Sequence, residues 1–79
     1  FGAKTSFRFT AAKPQHARIV VYNASGAMVR SLVDGVVSGA GTVVWDGTTR
    51  TGARAPAGIY FVHIEAGSLR ESRKVVLLR

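Results

Sequence analysis

The chain has no cysteine, so neither a disulfide framework nor a thiolate metal site can hold it together. That absence says little about compartment, because exported bacterial domains also often lack cysteine. Acidic residues are scarce: Asp34, Asp46, Glu65 and Glu71 are the only four. Histidine is limited to His16 and His63. So few acids leave little material for a carboxylate cation cage or a paired-carboxylate hydrolase. No apolar run approaches the ~18–20 residues of a membrane-spanning helix. The longest, residues 19–22 and 75–78, are strand-sized. Helical periodicity is also missing, since nine glycines and two prolines leave no gap wide enough for a convincing amphipathic helix.

What remains is a basic chain of 79 residues, with eleven Lys and Arg giving a net charge of +7. It makes one small domain, and a chain of this size buries only about 60% of the surface its unfolded form exposes. A hydrophobic content of 47% is ordinary for a folded domain and argues against intrinsic disorder. The cations are scattered, with Arg70, Arg73 and Lys74 the one close group, so the charge reads as a solvated surface rather than a nucleic-acid footprint. Weak attraction to anionic lipid or polysaccharide surfaces follows from the charge alone. The first residue is Phe1 rather than Met and no secretory leader is evident, which reads as a piece of a longer polypeptide.

Apolar alternation marks the strands. Residues 4–10 place Phe7 and Phe9 on one face, and Lys13-Pro14-Gln15 is expected to break the run. Residues 16–23 follow with Ile19 and Val21 on one side, then the turn signal "NASG" at 23–26. A third segment runs over 27–33, and the three glycines of "DGVVSGAG" (34–41) predict a loop or a weakly paired edge. Residues 42–45 and 58–65 alternate again, "EAGS" (65–68) predicts a tight hairpin, and 69–78 form the last segment. This spacing predicts an all-β, antiparallel sandwich of about seven strands. Its core is Phe7, Phe9, Ile19, Val21, Leu32, Val43, Trp45, Tyr60, Val62 and Ile64.

Chemistry is hard to find in this inventory. His63 lies mid-strand opposite the apolar face, so it reads as solvent-facing. No serine falls in a G-x-S-x-G elbow. Asp46 opens a loop that continues with hydroxyls and Arg50, so it reads as an Asx-turn acceptor rather than a metal ligand. "GTTRTGARAPAG" has glycines and cations but is followed by a strand, so no helix N-terminus awaits a phosphate. The expectation is a non-enzyme with no metal and no cofactor.

The stretches "VVYNASGAMVRSL", "GTVVWDGTTRTGARAPAGIYFVHIEAG" and "RKVVLL" carry a resemblance. They resemble the FlgD-like immunoglobulin fold, in particular the C-terminal sorting domains of proteins exported by the bacterial type IX secretion system. Tyr22 and Gly26 match the family's first element, with Asn23 where Asp is usual. Trp45, Asp46 and Gly47 match the second, and Gly52, Pro56, Gly58 and Tyr60 fall at the family spacing. Thr49 and Arg50 stand where that loop usually has acids, and Phe1-Gly2 is all that remains of the usual Asn-Pro-Phe opening. The resemblance covers residues 7–79.

It implies an immunoglobulin-like sandwich at residues 1–79 that directs export of a passenger protein N-terminal to Phe1. It further implies recognition by outer-membrane export machinery and transfer to an anionic surface glycolipid. The protein would then be secreted or held at the bacterial cell surface, with no membrane span and no nucleic acid. The expected recognition element is the tail Arg73, Lys74, Val75, Val76, Leu77, Leu78 and Arg79. The alternatives are an immunoglobulin-like accessory or carbohydrate-binding module of an extracellular enzyme, and a flagellar hook-capping domain. Carbohydrate binding asks for a row of exposed aromatics, for which Phe61 and Tyr22 are the candidates.

Overall fold

A computed structural model of the chain describes Gly2 and residues 4–78. Four strands make one antiparallel sheet: β1 (Thr5–Asn23), β2 (Met28–Trp45), β3 (Gly58–Ala66) and β4 (Leu69–Leu77). Their order is β2-β1-β3-β4, so β2 and β4 are the edges. The all-β antiparallel expectation holds and is consistent with an immunoglobulin-like fold, but a closed seven-strand sandwich does not form.

The count falls to four because the breakers are absorbed as bulges. Across β1 and β2 the register jumps from Ala11↔Gly39 to Gln15↔Val37, leaving Pro14 opposite no partner. A bulge needs no ladder donor there, so proline's missing N–H is tolerated and β1 continues. Likewise the residues of "DGVVSGAG" lie within β2, the edge strand, rather than in a loop. Two further register shifts in the same pair set Val29 and Leu32 outside the ladder, and both pack against the core.

Odd-numbered residues of β1 face inward on both sides of the bulge, from Phe7 to Val21. Of the ten residues expected in the core, seven are buried and the other three, Phe9, Leu32 and Ile64, are packed against them. Ala55 and Leu77 complete the cluster. Phe7, Val43 and Trp45 come from the far half of the β1–β2 ribbon, yet they share that cluster with Val62 of β3 and Leu77 of β4. The ribbon therefore bends over the inner face, and the bulge supplies the bend. A cleft of about 200 Å³ remains between Phe7 and Phe9 on one side and Ile64 and Leu69 on the other. Glu71 and Arg73, 3.4 Å apart, stand at its β4 margin. Inward charges of this kind discourage strand pairing at an edge.

The turns are local. Asn23 Oδ1 accepts from Ser25 N, Ser25 Oγ and Ala27 N at 3.1, 2.8 and 2.9 Å. An aspartate would offer the same acceptor, so Asn23 makes this turn without an acid. Gly26 closes this turn at φ 88°, a backbone angle that a side chain would strain. Ala66 pairs with Leu69 around the two-residue turn Gly67-Ser68, the hairpin expected of "EAGS".

Candidate functional site

The corner between β2 and β3, residues 46–57, is held by its own bonds. Asp46 Oδ1 accepts from Thr48 N at 3.2 Å and from Thr48 Oγ1 at 2.5 Å. Arg30 Nη1 lies 3.6 Å from the same oxygen and also donates to Thr48 Oγ1. The Thr48 hydroxyl bond is the main reason the Asp46 carboxyl is held below its ordinary value of 3.8; desolvation opposes it, and the Thr48 amide and Arg30 add to the lowering. Asp46 is thus an Asx-turn acceptor, as its loop suggested.

Beyond Asp46, Gly47 turns at φ 76° and is buried, and its carbonyl accepts from Ala55 N at 2.8 Å. Thr48 and Arg54 form an isolated antiparallel bridge. Gly52, at φ 88°, donates its amide to Thr49 O at 3.0 Å. Arg50 N reaches Val29 O at 3.0 Å, which seats the corner on the start of β2.

Two aromatic side chains fasten the corner from below. Trp45, fully buried, donates Nε1–H to Thr48 O at 2.9 Å. Tyr60 donates its hydroxyl to Pro56 O at 2.5 Å, four residues upstream, in the manner of a tyrosine corner. Between this corner and the Asn23 turn lies an open cleft of about 620 Å³, edged by Ser25, Met28, Thr49, Arg50, Thr51 and Ile59. It offers hydroxyls and one guanidinium but no carboxylate. Among the described residues, no three or more His, Cys, Asp or Glu stand close enough to hold a metal ion.

The tail expected to carry recognition divides by face. Val75 and Leu77 point inward, opposite Tyr60 and Gly58, and Leu77 is fully buried. Arg73 also lies on the inward side, opposite Val62, and is engaged by Glu71. Lys74 and Val76 point outward, opposite Phe61 and Ile59. Val76 and Leu78 keep 40% and 60% of their surface exposed, so the outward set can meet a partner while the inward set anchors the strand. Arg79 lies outside the described residues.

His63, expected to face solvent, is half-buried: Nε2 lies 3.1 Å from Glu65 Oε1 and its ring meets the Tyr22 ring edge-on. Tyr22 and Phe61 are direct cross-strand partners. Sequence reasoning named both but could not align them, because pairing between strands distant in the chain leaves no local trace.

A family model described as "FlgD Ig-like domain" matches residues 1–69. No curated protein and no solved structure matches the chain. The chain belongs to the FlgD Ig-like domain family, a membership consistent with an accessory immunoglobulin-like module of flagellar or secretion-associated proteins. The match ends at Leu69, where β4 begins.

Proposed function

We propose that this FlgD Ig-like domain is a non-catalytic C-terminal sorting domain. In this reading it directs a passenger protein, attached before Phe1, across the bacterial outer membrane to the cell surface. Outer-membrane export machinery is the partner that reads it, and an anionic surface glycolipid is the acceptor for the passenger. The observation that carries the reading is the division of β4. Leu77 is locked into the core while Lys74 and Val76 project outward from the edge strand and Leu78, just past its end, is exposed. A recognition strand needs both properties, since side chains held by a rigid strand lose less freedom on binding. Family membership supports the secretion-associated context.

The test is export of a reporter fused to the domain in a bacterium with that secretion route. The double variant Lys74→Glu, Val76→Asp alters only outward side chains, so its fold is expected to persist and export to fall. Unchanged export by a folded double variant would sink the proposal. Deleting residues 74–79 is a weaker test, because it also removes buried Leu77.

A further inference from the structure

The outward face of the sheet has an order of its own, set by the register. Tyr22 pairs with Met28 on one side and Phe61 on the other, and Phe61 pairs with Lys74. Met28, Tyr22, Phe61 and Lys74 therefore form one row across all four strands. Met28 and Phe61 keep 44% and 37% of their surface exposed, and Ile59, next to Phe61 on this face, keeps 44%. Val20 also points outward, yet it is only 2% exposed. Tyr22 lies two residues along from it and His63 directly opposite, and their rings meet with centroids 6.5 Å apart. The ring contact holds Tyr22 against His63, and the register sets it directly across from Phe61, so two aromatic side chains stand side by side on this face.

Charge is distributed unevenly around that platform. At one end of the face, Arg18 sits in the register between Asp34 and Glu65, and Arg70 Nη1 lies 3.7 Å from Glu65. Those cations have acids beside them. Lys74, at the end of the aromatic row, is exposed and has no acidic partner among the described residues.

We propose that this row binds an acidic polysaccharide, with successive sugar rings stacked on Tyr22 and Phe61 and a carboxylate paired with Lys74. The C–H faces of a pyranose are weakly positive and rest on the negative face of an aromatic ring. Neighbouring strands stand about 4.8 Å apart, close to the length of one pyranose unit, so a glycan laid across the strands meets one side chain per sugar. The third sugar then reaches Lys74. Single-stranded nucleic acid asks for a continuous basic track beside its stacking rings; here Asp34 and Glu65 interrupt the cations Arg18 and Arg70 on the rest of the face. A second copy of the chain is disfavoured by the excess of eleven cations over four acids, which sets like charge against like. The inference shares Lys74 with the export role but does not rest on it, and Phe61, which the export role does not use, separates the two.

Titration of the 79-residue chain with three probes tests it: polygalacturonate, its fully methyl-esterified form, and oligo(dT). Polygalacturonate is expected to bind about tenfold more tightly than either of the others. Phe61→Ala keeps every charge and is expected to weaken that binding about tenfold. Lys74→Gln is expected to weaken it and to flatten its salt dependence. Should Phe61→Ala fail to fold, Phe61→Leu preserves apolar volume without a ring and takes its place. Binding that survives loss of the ring would show attraction by net charge alone and overturn the proposal. Equal binding of the esterified glycan, or of oligo(dT), would overturn it as well.

Discussion

The Trp45 and Tyr60 rings meet edge-to-face, with centroids 5.1 Å apart and planes at 66°. Each also sends its polar atom into the corner above, Trp45 to Thr48 O and Tyr60 to Pro56 O. One aromatic pair therefore joins the core to the corner. Replacing Tyr60 with Phe keeps the ring and removes only the hydroxyl. The expected cost is about 1 kcal/mol in urea denaturation, the usual net worth of one such bond. An unchanged midpoint would mean that the Pro56 carbonyl finds water at no cost.

Asp46 gives the corner a dependence on acid. Its folded pKa lies below 3.8, so the carboxylate's contribution is fully present above that value and is lost as pH falls through the lower, folded one. Asp46→Asn is expected to lower the melting temperature at neutral pH. As pH falls from 3.8 through the lower, folded value, the difference between the two proteins should shrink, because the wild-type carboxyl then becomes protonated in the fold too. Thermal melts across acid pH check this, and a gap that stays constant into strong acid would refute it.

Leu77 seals the core from the edge strand. Leu77→Ala removes a fully buried side chain and is expected to cost about 2–5 kcal/mol, against the small total stability of a domain this size. Lys74→Glu on the outward side of the same strand should leave the denaturation midpoint within about 0.5 kcal/mol of wild type. Comparable losses from both would show that β4 does not divide into an anchoring and a presenting face.

Gly41 lies directly opposite Phe9, and the ring covers it. A Cβ at position 41 would fall 2.4 Å from Phe9 Cζ, so any side chain must push the ring away. Gly41→Val is expected to cost about 1–3 kcal/mol, as overpacking does. The pair variant Gly41→Val, Phe9→Ala should recover part of that loss, which a double-mutant cycle in urea would measure.

The sequence disclosed faces better than it disclosed ends. Alternation fixed which side of each strand is apolar, so Phe7, Ile19, Val43, Trp45 and Tyr60 were legible as core. Strand ends were not. Pro14 and the glycines of residues 34–41 carry the local chemistry of interruptions, and a long hairpin turned them into bulges and edge. Leu77 reads from the sequence as part of the recognition tail and not of the core, because a continuous run, Val75-Val76-Leu77-Leu78, does not say which members point inward. Its pairing opposite Gly58 decides that. The row from Tyr22 to Lys74 was hidden for a related reason: only the register brings three separate segments level. The corner was the opposite case, since Trp45, Asp46, Pro56 and Tyr60 act through neighbours close in the chain and could be read in place.

Because β4 follows the other three strands in the chain, it is synthesised after them. Until it emerges, β3 has no neighbour on its far side and Val62, Tyr60 and Trp45 lack the cover that Leu77 contributes. A chain that ends short of residue 77 lacks that cover, and the side chains beneath it are left facing water.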